Sequence, residues 1–559
     1  VRYLPTGLSG KRGGSEVATE MPTVWIDNKR IEVEAGTTVL EAARLLGIDI
    51  PTLCYWQGHP PVTSCLVCLV QIEGEERLVP SCSFPVQEGL RIRSEVAEVH
   101  EARRTALELL LSDHAGDCLA PCHRICPLEL NIPRMLRQVR DGDLEGAVET
   151  IREAIALPSI FGRVCHHPCE GGCRRALHDG AVTIQQIERY LGDLSLTDDC
   201  SYHPPRQPTS GRRVAIIGTG PAGLTAAYHL LRMGHTCVLY EQHDRIGGSF
   251  RTRFSPAELP DEIVRAEVDS LRRLGAQFVI GKRLGGDLDL RTLKGENDAV
   301  LLATGRGSVA LAQAVGIESG ERGIVANPQS CATTVEGVFA AGEAVRGEAL
   351  PVRAAADGKK AAIAIDAMLN GKPAESRDRE FSSVLGRLTK LELNRMLEGQ
   401  SPQARVVWDK GEGRISEDEL RAQAERCLHC DCRKVDTCRL RYYAQKYGAN
   451  PRAFPTERKE FWRDADHPLV FYESGKCIAC GRCASICAEA GVPLGVTHIG
   501  RGFEVRIGVP FGESLKTALR GVADECVEAC PTGALSRKDE RIKSPPAGCS
   551  SSGDASGTN

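Results

Sequence analysis

Twenty-four cysteines in 559 residues restrict what this chain can become. Twenty of them fall into tight groups: Cys54, Cys65, Cys68 and Cys82; Cys118, Cys122 and Cys126; Cys165, Cys169 and Cys173; Cys427, Cys430, Cys432 and Cys438; Cys477, Cys480, Cys483 and Cys487; and Cys526 with Cys530. Cys200, Cys237, Cys331 and Cys549 stand outside these groups. Disulfide scaffolds belong to short secreted chains, and the first twenty residues, "VRYLPTGLSGKRGGSEVATE", lack the apolar core of a secretory signal. Grouped thiols in a long chain read as metal ligands. A net charge of −4 offers no basic field to nucleic acid. No apolar run is long enough for a membrane span. Residues 1–21 read as a disordered leader and 543–559, low in complexity, as a disordered tail.

Residues 22–100 form the first expected domain. "PTVWIDNKRIEVEAGT" alternates apolar and polar positions around Asp27-Asn28, the pattern of a β-hairpin, and "TVLEAARLLGI" has helical spacing. Cys54, Cys65 and Cys68 lie on one loop and Cys82 arrives on a later strand. Loop thiolates can surround a two-iron rhombus while the hairpin supplies the frame. The spacing and its flanks, "PTLCYW" and "SCLVCLVQIEG", resemble the N-terminal 2Fe-2S domain of the complex I large iron–sulfur subunit and of iron-only hydrogenases. The resemblance implies a β-grasp ferredoxin fold with Cys54, Cys65, Cys68 and Cys82 as ligands.

Residues 101–205 carry two blocks, "DHAGDCLAPCHRICP" and "FGRVCHHPCEGGCRRAL", joined by a helical stretch. Each places cysteines at i, i+4 and i+8. Pro121 and the Gly171-Gly172 pair argue that loops break any continuous helix. The pair of blocks resembles the helical domain of the glutamate synthase small subunit and of dihydropyrimidine dehydrogenase, which holds two 4Fe-4S clusters. The resemblance implies Cys118, Cys122 and Cys173 at one cluster and Cys126, Cys165 and Cys169 at the other. The family's leading cysteine falls at Ala115, so His114 is taken as the fourth ligand of the first cluster. Glu188 in "IQQIERY" is taken as the oxygen ligand of the second, with Gln185 and Gln186 as neighbours.

After the Pro-rich linker "SYHPPRQPTSG", residues 206–375 open with "RRVAIIGTGPAGLTAAYHLLRMGHTCVLYE". A buried strand leads into Gly218-x-Gly220-x-x-Gly223 and a helix, and Glu241 closes the next strand. Such glycines admit a pyrophosphate at a helix N-terminus, and the acid takes a ribose hydroxyl. "RIGGSFR" with Gly247 and Gly248, "LLATG" with Thr304 and Gly305, and "GVFAAGEA" with Gly342 and Glu343 resemble the FAD contacts of the same flavoproteins. Glu343 stands where that family has Asp, one methylene shorter. Between Gly305 and Gly337 lie 31 residues without a glycine fingerprint, where the family inserts a nicotinamide domain. The expected domain is Rossmann-like, binds FAD and lacks the NAD(P) subdomain.

Residues 376–460 read as a charged helical linker that includes "CLHCDCRKVDTC". Cys427, Cys430, Cys432 and Cys438 can close on one centre, a 4Fe-4S cluster or tetrahedral zinc, with His429 as a substitute ligand. Residues 461–542 carry "CIACGRCASIC", the bacterial ferredoxin run. The second run has Arg520 and Ala523 in place of its first two cysteines. In the two-cluster plan the last cysteine of one run serves the other run's cluster. Cys477, Cys480, Cys483 and Cys530 therefore complete one 4Fe-4S site, and Cys487 and Cys526 are left from a lost one.

The fold class expected is multidomain, α/β and α+β: a β-grasp ferredoxin, a helical two-cluster domain, a Rossmann-like FAD domain and a bacterial-type ferredoxin domain. The cofactors expected are FAD, one 2Fe-2S cluster and three to four 4Fe-4S clusters, with zinc as the alternative at the Cys427 group. No catalytic triad or paired carboxylates stand out. The resemblances imply a cytoplasmic oxidoreductase subunit that wires an NAD(P)H-oxidising flavoprotein to a catalytic subunit of hydrogenase or formate dehydrogenase type, with ferredoxin as a further partner and flavin-based bifurcation as a role. The alternative is a self-contained NAD(P)H:acceptor oxidoreductase like the glutamate synthase small subunit.

Overall fold

The first turn of the chain follows from two side chains. Asp27 and Asn28 both take positive φ, 46° and 66°, and reverse the strand Thr23–Ile26 onto Lys29–Glu32. Short polar side chains tolerate this left-handed region better than β-branched ones. The computed structural model describes residues 21–197, 202–373, 380–406, 415–454 and 459–538. The leader at 1–20, the tail from 539, Cys200 and Cys549 lie outside the described residues. The chain divides into two compact units.

The first unit comprises Val1–Gly116, Phe381–Arg387 and Arg433–Asn559. Its first sheet has five strands, with Thr23–Ile26 parallel to Arg91–Arg93 and the other pairings antiparallel. Helix Val39–Leu45 starts at a capping box made by Thr38 and Glu41 and buries Val39, Leu40, Ala42 and Ala43. This is the β-grasp arrangement. Helix Ala97–Ser112 packs on strand Leu69–Ile72, where Arg103, fully buried, donates to the Leu69 carbonyl from two nitrogens. The remaining segment pairs Val470–Glu473 with Leu535–Arg537 and packs helices Arg482–Glu489 and Ala523–Ala529 together. Inside it, Glu473 is held by Lys476 at 2.5 Å and Arg463 at 2.8 Å.

The second unit comprises Asp117–Glu380 and Leu388–Cys432. Pro121 and Pro168 each sit in the first turn of a short helix, Pro121–Ile125 and Pro168–Gly171. Each block is thereby broken into loop, turn and loop, as the prolines and glycines imply. Helices Ile132–Arg140, Leu144–Ala154, Pro158–Val164 and Ile184–Leu194 build the helical region. A five-stranded parallel sheet follows, with Arg213–Ile217 central and Thr236–Glu241 and Ala299–Leu302 on either side. Helix Pro351–Leu369 packs along helix Pro221–Arg232. The linker is less helical than its charge pattern suggests. Within 380–426 the described helices are Lys390–Leu397 and Glu417–Ala424, and Gly399 (φ 71°) breaks the chain after the first.

Candidate metal centres and nucleotide site

Cys54, Cys65, Cys68 and Cys82 are all buried, and their thiols contact one another: Cys54 with Cys65 and Cys82, and Cys68 with Cys82. Hydrogen bonding to Cys65 and Cys82 holds the Cys54 thiol down, to about 2. Nearby, Cys477, Cys480, Cys483 and Cys530 line a small cavity with Tyr472 and Ile507. Every pair of these four thiols lies within electrostatic reach, and burial first, then the neighbours, pushes Cys480 up to about 12 and raises Cys477 and Cys483. The amide of Ala479 donates to Cys477 Sγ at 3.4 Å.

Arg482 belongs to both sets. It is 2% exposed, donates to the Ala529 carbonyl at 2.8 Å, and lies over the Trp56 ring. The charges of Cys480, Cys54 and Cys530 all act on it, while its Nε and Nη2 are buried without a partner. A buried cation with unused donors costs free energy unless an anionic group faces it. An anionic group held by the two flanking thiol sets would answer that requirement. The sequence carried the signal, an arginine inside "CIACGRC", which the cysteine count overshadowed.

Cys487 and Cys526 lie beside the Cys477 set: both are within electrostatic reach of Cys483, and Cys526 Sγ is 3.9 Å from the Cys483 carbonyl oxygen. Their thiols hydrogen-bond to each other, and Leu515, Ala518, Leu519 and Val522 pack in the same core cluster. Apolar side chains surround them. Replacing both by alanine is expected to leave the iron content unchanged; iron analysis of the double variant checks this.

In the second unit, Cys126, Cys165, Cys169 and Glu188 gather. Each pair lies within electrostatic reach. Glu188 is 5% exposed, and burial, then Glu170, lifts its carboxyl to about 8. Burial pushes Cys126 up to about 11 and Cys165 to about 12. Gln185 is committed elsewhere: its amide donates to Glu170 and its side chain to the Gly162 carbonyl. Gln186 sits on the same helix.

The remaining cysteines differ from the sequence grouping. Cys122 is accompanied by Cys427, Cys430 and Cys173. Cys432 donates its amide to the Cys118 carbonyl at 3.1 Å. Cys438 belongs to the other unit, in a core cluster with Cys54, Cys65 and Cys480. His114 also belongs to the first unit, whereas Cys118, Cys122 and Cys173 belong to the second. Its Nδ1 is buried without a partner, and burial together with Lys476 depresses the imidazole to about 4. Among the described residues, no group of three or more His, Cys, Asp or Glu is placed to hold a single metal ion, and that is as true of the Cys54 set as of the Cys427 loop. Cys237 and Cys331 are buried core residues.

The three fingerprint glycines have three different surroundings. A Cβ on Gly218 would lie 2.3 Å from the Ala303 carbonyl oxygen, and one on Gly223 would lie 2.0 Å from that of Gly218. Gly220 has nothing within 4 Å and opens into a cavity of about 740 Å3. That volume suits a nucleotide-sized ligand. Gly218, Gly220, Glu241, Gly248, Thr304, Gly305 and Glu343 line the cavity. The other predicted residues stand behind it: Gly223 against Gly218, Gly342 against Ala222, and Gly247 with its amide on Thr219 Oγ1. Glu241 accepts from the amides of Thr219 and His243 at 3.2 and 3.1 Å. The longer side chain of Glu343 reaches Arg253 and also accepts from the Ala349 amide at 3.1 Å.

Three family models match parts of the chain. Residues 19–96 match the family described as 2Fe-2S iron-sulfur cluster binding domain. Residues 94–200 match dihydropyrimidine dehydrogenase domain II, 4Fe-4S cluster, and residues 216–268 match an NAD(P)-binding Rossmann-like domain. The chain is 35% identical over 190 residues to the NADPH-Fe(3+) oxidoreductase subunit beta of Geobacter sulfurreducens, covering 33% of this chain and 28% of that one. It is 33% identical over 207 residues to the NADP(+)-dependent formate dehydrogenase subunit beta of Moorella thermoacetica, covering 33% and 29%. It is 36% identical over 190 residues to the glutamate synthase [NADPH] small chain of Mycobacterium tuberculosis, covering 34% and 39%. The chain thus spans well under half the length of these curated relatives. Among the described residues no helix is long and apolar enough to cross a membrane. The chain joins a 2Fe-2S domain, a 4Fe-4S domain of the dihydropyrimidine dehydrogenase type and a Rossmann-like nucleotide-binding domain, and its homologues are oxidoreductase subunits.

Proposed function

We propose that the chain is the electron-transfer subunit of a multisubunit NAD(P)H-linked redox complex, with FAD in the Rossmann cavity, one 2Fe-2S cluster and three to four 4Fe-4S clusters. The observation that carries this reading is the adjacency of thiol sets inside each unit. In the first, Arg482 lies within reach of Cys54, Cys480 and Cys530. In the second, Cys169 lies within reach of Cys122. Adjacent one-electron centres make a path for electrons.

A single dinucleotide fold supports the same reading. Between strands Ala299–Leu302 and Val338–Ala340 the described backbone has one seven-residue helix, Ser308–Ala314, and two isolated bridges. A βαβ unit takes about 30 residues, and a working nicotinamide domain more. Electrons from NAD(P)H then reach this chain from a flavoprotein partner and leave to a catalytic subunit of hydrogenase or formate dehydrogenase type, or to ferredoxin. The name of the Moorella relative supports the formate dehydrogenase reading.

The residues present fit a flavin dinucleotide. Gly220 lets the backbone approach the pyrophosphate at the N-terminus of helix Pro221–Arg232, and Glu241 lies where ribose hydroxyls bind. FAD bound there supplies exchange between two-electron and one-electron carriers. The cavity and the Cys126 set share one unit, which supports such a gate and, as its extension, bifurcation. Oxygen-sensitive clusters favour a cytoplasmic home.

Cys477→Ser tests the path. Electron flow from dithionite-reduced flavin to an external acceptor is expected to fall while flavin stays bound; loss of the flavin as well would indicate a fold defect and remove the support. Arg482→Leu is expected to lower the midpoint potentials of the neighbouring 2Fe-2S and 4Fe-4S clusters, because a cation stabilises their reduced, more negative state. Redox titration followed by EPR reads that shift.

A further inference from the structure

Cys427 and Cys430 lie on the loop Cys427-Leu428-His429-Cys430, far in sequence from the two cysteine blocks of the helical region. The fold brings this loop onto those blocks and pins it. Arg175, two residues after Cys173, donates to the Arg426 carbonyl at 3.1 Å. Arg426 in turn donates to the Gly180 carbonyl at 2.8 Å. Arg137 pairs with Asp431 at 2.9 Å, and Arg140 lies 3.3 Å from His429 Nε2. Cys432 bonds through its amide to the Cys118 carbonyl. These contacts hold both sides of the loop.

The loop has the backbone form of a cluster-binding turn. In Cys477-Ile478-Ala479-Cys480 the third residue takes φ 50° and its amide donates to the first sulfur at 3.4 Å. In Cys427-Leu428-His429-Cys430 the third residue takes φ 46° and its amide donates to the first sulfur at 3.4 Å. His429 is not a glycine, so this left-handed conformation costs free energy and persists because the surroundings impose it. An amide aimed at sulfur stabilises a thiolate bound to iron.

The four thiols of Cys122, Cys173, Cys427 and Cys430 lie within electrostatic reach of one another in every pair. The ferredoxin set of Cys477 and the Glu188 set show the same full pairing. Cys122 and Cys427 belong to one buried core cluster, and Cys173 and Cys430 pack against it. Cys122 and Cys427 are 9% and 7% exposed. Four thiols gathered by these contacts can ligate one cluster, which takes the place of their protons when it binds.

We propose that Cys122, Cys173, Cys427 and Cys430 bind one 4Fe-4S cluster, built from two helical-region cysteines and a C-x2-C loop some 250 residues downstream. This deepens the electron-path reading and rests on it only for the cluster's use. The cluster takes the place of the site for which Ala115 lacks a cysteine, and the Cys427 loop ceases to be a separate four-cysteine centre.

The test asks which cysteines share one cluster. In the full chain, reduced anaerobically with dithionite, EPR is recorded for Cys122→Ser, Cys173→Ser, Cys427→Ser and Cys430→Ser. All four are expected to alter the same signal, while the 2Fe-2S signal remains as the control for folding. If Cys122→Ser and Cys427→Ser alter different signals, the proposal is wrong. Where a variant fails to fold, the unaltered holoprotein decides. It is treated with graded chelator, alkylated with iodoacetamide and mapped by mass spectrometry. Labelling of the four cysteines together at one chelator dose is expected. Labelling of Cys427 and Cys430 with Cys438, separately from Cys122 and Cys173, overturns the assignment. Neither readout involves electron transfer, so failure here leaves the wire reading standing, and failure of electron transfer leaves this cluster standing.

Discussion

Gly220→Val is expected to empty the flavin site while the unit stays as stable as before, and Gly223→Ala is expected to destabilise the unit. The two glycines belong to one fingerprint but face different neighbours. Gly220 has extended backbone, φ −78° and ψ −172°, which valine adopts freely, and nothing within 4 Å of its missing Cβ. Added methyl groups would enter only the cavity where the pyrophosphate approaches. Flavin per chain is expected to fall by about tenfold or more, the result of ~1.4 kcal/mol or more of lost binding. At Gly223 a Cβ would meet the Gly218 carbonyl oxygen at 2.0 Å, and backbone cannot yield as a side-chain tip can. Overpacking of this kind costs about 1–3 kcal/mol or more. Flavin absorbance after desalting and thermal unfolding separate the two outcomes. Retained flavin in folded Gly220→Val would mean that the ligand does not lie over this turn.

Glu267→Leu is expected to destabilise the second unit by about 3–5 kcal/mol. Glu267, on helix Asp261–Arg273, is fully buried and pairs with Arg152 at 2.8 Å; it also accepts the Ser159 amide at 2.8 Å. Arg152, 3% exposed, also donates to the Ala156 carbonyl and to Ser195. This pair ties the helical cluster-binding region to the nucleotide domain within one unit. Removing the carboxylate strands a buried guanidinium, whose desolvation is then uncompensated. Chemical denaturation reads the loss. The double change Arg152→Met with Glu267→Leu is expected to recover much of it, since no buried charge remains. A single-variant loss below ~1 kcal/mol would mean that water reaches the pair.

Much of this was legible where local chemistry decides. Asp27-Asn28 forms its hairpin because short polar side chains accept positive φ. The strand ending at Ile217, the glycines and Glu241 fall where the fingerprint implies, because pyrophosphate binding leaves few backbone solutions. Pro121 opens a five-residue helix, so the first block cannot run as one continuous helix. Less legible was the pairing of distant segments. Cys122 meets Cys427 through a tertiary contact held by Arg175 and Arg426, and no spacing rule spans that separation. Among the described residues of 380–426 less helix forms than the charged pattern suggested, since exposed charge alone does not bury a face. Arg482 was hidden for another reason: its role depends on a second cysteine set folded against it.

The most direct test of the central claim is the source of electrons for the flavin. The isolated chain, loaded with its cofactors and held anaerobic, is given NADH and then NADPH while the flavin absorbance is followed. The account predicts no bleaching by either nucleotide and rapid bleaching by dithionite or by a nicotinamide-oxidising partner subunit. Fast bleaching by either nucleotide alone would contradict it and make the chain a self-contained reductase.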